Sequence, residues 1–213
     1  MRSGLPVFVG TAKRGDKLPE SSKLPELRCD YGPVEMALAV IYAATEDDER
    51  RKAFRARINY FQRAKVLGDD FEVGKGKQNA YSIVEIQRWL ACLELTELGL
   101  SPTTAGELIA GHWDLFEPIF RDAQASVVRD PGPDDIVLCI GGIHLMSGSW
   151  APKSGFPGIP SIQGCTLRKL PDRVMAWMWM TANDPAAPRL LIVNLSERLR
   201  QFHNALSNHI PKT

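Results

Sequence analysis

Net charge is almost absent from this chain: 26 Lys and Arg stand against 25 Asp and Glu in 213 residues, a formal +1. A global electrostatic pull toward nucleic acid is thereby excluded. Cysteine is scarce as well. The four, at 29, 92, 139 and 165, have no CxxC spacing, so neither a zinc site nor a disulfide framework is expected. Cys92 and Cys139 lie in apolar runs, where a thiol behaves as a small hydrophobe. The histidines at 112, 144, 203 and 209 lack ligand-like spacing, and no nucleophile or glycine elbow accompanies His144 near Asp134 and Asp135. Metal, cofactor and catalytic chemistry are therefore not expected. No apolar run reaches membrane-spanning length, and residues 1–10 hold one Arg and too short an apolar stretch for a signal peptide. The expected location is the cytoplasm.

The chain does have one concentrated basic segment. From 50 to 77 there are nine basic residues (50, 51, 52, 55, 57, 63, 65, 75 and 77) against three acids (69, 70 and 72). A neutral protein with its cations gathered in one place is suited to meet an anion there. The first 31 residues mix Lys, Pro, Ser and Gly without periodicity and read as a flexible N-terminal arm. Pro33 opens a run to Ala44 that is apolar nearly all round, a buried helix. A second helix is expected over about 47–67, closed by Gly68. On it Phe54, Ile58 and Phe61 fall at i, i+4 and i+7 and form an inward stripe. The opposite face holds Lys52, Arg55, Ala56, Asn59 and Arg63, with Tyr60 at its margin.

That outward face is either solvated or shaped for a duplex: cations for phosphates, an amide able to bond adenine, a small alanine allowing close approach. The flanks favour the second reading. Residues 69–81 look like two short strands around a Gly74-Lys75-Gly76-Lys77 tip, a wing whose glycines let backbone lie against phosphate while Lys75 and Lys77 supply counter-charge. As a nucleotide-binding loop the spacing fails. Ser82 and Glu85 then make a capping box for a helix ended by Gly99, and Ser101-Pro102 start another. Ala105, Leu108, Ile109 and Trp113 continue an inward face on it, with a kink or second short helix expected from Gly111 and Pro118.

Composition changes at Asp130-Pro131-Gly132-Pro133, the expected boundary between a domain at 32–128 and a small α/β domain at 134–213. Residues 136–140 read as a buried strand, and 141–164 as largely loop. The Trp/Met-rich run 174–180 reads as a core strand paired with 190–193. Asn194 and Glu197 cap a terminal helix whose Leu195, Leu199, Phe202 and Leu206 suggest a dimerisation stripe.

The segment from Ile58 to Ile109 resembles the DNA-binding domain of MerR-type transcriptional regulators. Ile58, Tyr60, Phe61, Arg63 and Leu67 match the end of that family's recognition helix or substitute conservatively. Tyr81-Ser82, Ile86, Leu95, Leu98, Gly99 and Ser101 keep the register of its third helix. Departures are Asn59 for the helix arginine, Lys65 for the glycine after it, and Asn79 for the wing arginine. The resemblance implies a mainly helical N-terminal winged helix-turn-helix; with the small α/β C-terminal domain read from composition and pattern, the expected chain is α+β. The resemblance further implies a non-enzymatic regulator bound to double-stranded DNA. The family's dimerising coiled-coil helix is shortened or broken here at Pro118, so the expected homodimer rests on the C-terminal helix stripe. Lys52, Arg55, Asn59, Tyr60 and Arg63 would lie in or along the major groove, with Lys75 and Lys77 on neighbouring phosphates. A protein-interaction adaptor that keeps the fold without binding DNA is the alternative, and a small-molecule enzyme or sensor centred on the C-terminal domain ranks third.

Overall fold

Side-chain caps mark where three helices of the first half begin. The structure, a computed structural model, describes residues 28–64, 66–67, 80–141, 161–181 and 190–209, and shows a mixed α+β chain. Strand β1 (Cys29–Asp30) leads directly into helix α1 (Tyr31–Ile41), with Pro33 in its first turn. Ala43, at φ 51°, turns the chain in the left-handed region after α1. Asp47 then caps α2 (Asp48–Arg63) by accepting a hydrogen bond from the Arg50 amide at 2.6 Å, while Asp48 and Glu49 complement the helix dipole. Thus α2 begins as expected but ends before 67; Val66 and Leu67 are buried beyond it.

A two-residue strand, β2 (Ala80–Tyr81), returns to pair antiparallel with β1, Cys29 opposite Tyr81 and Asp30 opposite Ala80. Ser82 and Glu85 form the expected reciprocal capping box at the start of α3 (Ile83–Glu97), and Gly99, at φ 98°, follows its end. Ser101 caps α4 (Pro102–Ser126), with Pro102 at its first position. The long helix is kinked where His112 leaves helical geometry (φ −136°, ψ 27°), beside Gly111 and ahead of Pro118. Its predicted inward residues Ala105, Leu108, Ile109 and Trp113 are all buried.

The second half is built on a three-stranded antiparallel sheet with order β4-β3-β5: β3 (Ile136–Gly141) in the centre, β4 (Ser161–Thr166) and β5 (Leu190–Asn194) at its sides. Helices α4 and α6 (Leu195–His209) pack on one face of β3. Helix α5 (Leu170–Thr181) covers the other, its Trp177 ring lying over Gly141.

Two expectations for this half are corrected. The 174–180 run is helix, not strand, and β5 takes β3 as its partner instead. Pro171 and Asp172 suit a first helical turn, Met and Ala are good helix formers, and the better-buried Leu170, Val174 and Trp177 recur at i, i+4 and i+7. Nor is the run a core element: Met175, Met178 and Trp179 are 66%, 59% and 85% exposed. Within the stretch read as largely loop, 161–164 belong to β4. Gly164 serves there because Ile119 of α4 lies where a Cβ would stand, 2.9 Å away.

One buried cluster runs through both halves. Val34 and Leu38 of α1 share it with Phe54, Ile58 and Phe61 of α2, Phe116 and Phe120 of α4, and Leu199 and Phe202 of α6. Helix α6 packs along α1, so its stripe Leu195, Leu199, Phe202 and Leu206 is buried within the chain and is not a free dimerisation surface. Polar contacts join the same elements. Arg198 pairs with Glu94 of α3 at 2.6 Å, donates to the Ile41 carbonyl at 3.4 Å and lies over the Tyr42 ring. A buried Arg200–Asp135 pair and the Ser126–Ser196 hydroxyl contact tie α6 to the turn before β3 and to α4.

Candidate nucleic-acid interface

Helix α2 is amphipathic in the expected sense. Phe54, Ile58 and Phe61 are buried, while Lys52, Arg55, Ala56, Asn59 and Arg63 are exposed. The stripe presses α2 against the core and so turns those five residues outward together. Lys52 has no ion pair among the described residues, and neither has Arg63, which bends back along its own helix to donate to the Asn59 carbonyl at 3.2 Å. The Asn59 amide group makes no hydrogen bond among the described residues and is open to a partner.

Arg55 is placed differently from its neighbours. Its Nε and Nη2 donate to the two carboxylate oxygens of Glu35 at 3.2 and 3.4 Å, and this raises its pKa further. Glu35, on α1, is almost fully buried and also lies 3.8 Å from Arg51. The guanidinium is half exposed but already holds an acid. Tyr60 is half-buried, and its hydroxyl donates to Thr103 Oγ1 of α4 at 2.9 Å, an anchor to the protein itself. Lys75 and Lys77, with the whole proposed Gly/Lys tip, lie outside the described residues.

Other cations of the basic segment are matched internally too. Arg50 meets Glu46 at 2.5 Å and Asp47 at 3.1 Å, and Arg57 meets Glu97 at 2.7 Å. Four of the arginines between 50 and 57 are therefore partnered by acids at 35, 46, 47 and 97, all outside the stretch where the charge excess was counted. The acids at 46 and 47 lie just before the counted stretch, whereas those at 35 and 97 arrive from other elements, which a charge run cannot reveal.

The short β1–β2 pair fixes how the segment after α2 rejoins the fold. Tyr81 is buried, accepts from Gln62 of α2 at 3.0 Å, and packs its ring 4.6 Å from that of Trp89 and 6.1 Å from that of Tyr31. One aromatic cluster so joins β1–α1, the end of α2 and the start of α3. Sequence reasoning picked out Tyr81 only as part of a motif; its packing role needed the fold.

Among the described residues no group of three or more His, Cys, Asp or Glu could hold a metal ion, and no helix is long and apolar enough to cross a membrane. Compared with protein-family models, with curated proteins and with solved structures, the chain matches none of them.

Proposed function

We propose that the chain is a sequence-specific DNA-binding transcriptional regulator with a MerR-like winged helix-turn-helix, α2 being the helix that enters the major groove. The observation that carries this reading is the set Lys52, Ala56, Asn59 and Arg63, exposed on one face of a helix whose opposite face is locked to the core. Lys52 and Arg63 would neutralise phosphates and set salt dependence, while Asn59 would read a base edge. Arg55 contributes by holding α1 and α2 together through Glu35, with one side of its guanidinium left for a phosphate. Lys75 and Lys77 would extend the contact along the backbone.

A second reading, an interaction adaptor without DNA affinity, is favoured by the internal neutralisation of Arg50, Arg51, Arg55 and Arg57. Titration of a labelled pool of random duplexes by fluorescence anisotropy separates the two. A binder making several phosphate contacts weakens by orders of magnitude between about 50 and 200 mM salt. Lys52→Ala and Arg63→Ala should each shallow that salt slope by about one unit, whereas Asn59→Ala should relax sequence choice. No retention at either salt concentration rejects DNA binding and leaves the adaptor.

A further inference from the structure

Two thiols meet on the sheet face beneath α5. In the β3–β4 ladder Cys139 stands opposite Gln163, and Val137 opposite Cys165, so the two cysteines are diagonal neighbours on adjacent strands. Two glycines identify the face. Gly164, next to Cys165, is turned toward Ile119 of α4, whereas Gly141, two residues beyond Cys139, is turned toward Trp177 of α5. Strand alternation then puts Cys139 and Cys165 together on the α5 side. Cys139, Gln163, Arg173, Trp177 and Leu190 line a cavity there of about 20 Å³, room for one water-sized molecule. The remaining cysteines have different surroundings: Cys29 is buried on β1, and Cys92 is buried in α3 with its thiol facing the Ala105 carbonyl at 3.8 Å.

We propose that Cys139 and Cys165 form a redox-active dithiol that closes to an intramolecular disulfide on reaction with hydrogen peroxide. Cys165, the more exposed of the two, loses its proton to solvent and attacks one peroxide oxygen. The S–O bond forms, the O–O bond breaks, and the departing hydroxide takes up a proton as water. Cys139, giving up its proton, then attacks the sulfenic sulfur of Cys165. The S–S bond forms, the S–O bond breaks, and the second hydroxide leaves as water. Altogether two thiols lose two electrons and two protons, and one peroxide becomes two waters.

Burial, with the Cys165 thiol alongside, pushes Cys139 up to about 12, which keeps it protonated and leaves the first attack to Cys165; the Arg173 cation acts in the opposite sense and favours loss of the Cys139 proton in the second step. Diagonal neighbours in an antiparallel ladder stand roughly 7–8 Å apart at Cα, while a disulfide spans about 4.4–6.8 Å. Because the strands are already paired, closure must shear β4 along β3 at this point, and a bond made under that tension is readily reduced. The site is thus a reversible one, unlike a structural staple.

The full-length protein, treated with a small molar excess of hydrogen peroxide and alkylated without reductant, should lose two hydrogens by intact mass. Peptide mapping should find Cys139 joined to Cys165, and dithiothreitol should reverse the bond. In Cys139→Ser, checked for native melting, Cys165 should instead be trapped as a dimedone adduct, with no internal disulfide. Wild-type protein in which Cys165 passes to sulfinic acid without a cross-link overturns the proposal. So does a dimedone yield unchanged by Cys139→Ser, or equal oxidation of Cys29 and Cys92. Should Cys139→Ser not fold, the wild-type peptide map decides alone.

Discussion

Arg55 shows how one side chain can satisfy a sequence pattern and still do something else. It lies on the outward face of α2, yet its fork is already closed on Glu35, because a buried carboxylate must find a cation. His203 makes a related point about burial. It is half-buried on α6, with its ring nitrogen 3.1 Å from the Gln124 amide of α4, and burial lowers its pKa. The unfolded chain then binds a proton at His203 that the folded chain resists. Stability should rise with pH through the window just below 6.5, and fall on acidification through it. Urea denaturation from pH 7 to 5 should show this slope, and His203→Gln should flatten it; an unchanged slope would mean His203 is not its source.

Helix α3 illustrates an element specified by its own ends. Ser82 accepts from the Glu85 amide at 3.4 Å and Glu85 returns to the Ser82 amide at 2.6 Å, satisfying two donors that the first turn leaves open. Ser82→Ala should cost about 1 kcal/mol, measurable as a lower urea midpoint with the slope of the transition unchanged. Helix α6 keeps half of the same device, since Asn194 accepts from the Glu197 amide at 3.1 Å while the Glu197 side chain turns to Arg200 and Gln201. Helix α5 is the contrary case. Its sequence is rich in Trp and Met, but only one narrow stripe packs on the sheet.

With one core running from α1 to α6, the halves on either side of the Asp130–Gly132 turn should unfold together. Phe202, fully buried on α6, shares that core with α2. Phe202→Ala should destabilise the chain by about 3–5 kcal/mol through the cavity it leaves, and circular dichroism should follow a single transition for both halves. Two separated transitions, with the first half unaffected, would contradict a shared core.

The starts of α2, α3, α4 and α6, the inward stripes of α2 and α4, the kinked α4 and the central strand β3 were readable from residue order, because caps, periodicity and apolar runs act over a few neighbouring positions. The start of α5, a run expected as strand, was not. Local order could not say that α6 would bury its stripe on α1, that β5 would choose β3, or that acids at 35 and 97 would close on Arg55 and Arg57. Those outcomes depend on which surfaces, distant along the chain, remove the most apolar area and the most unpaired charge from each other's surroundings, and such a competition is settled only when all the elements are packed at once.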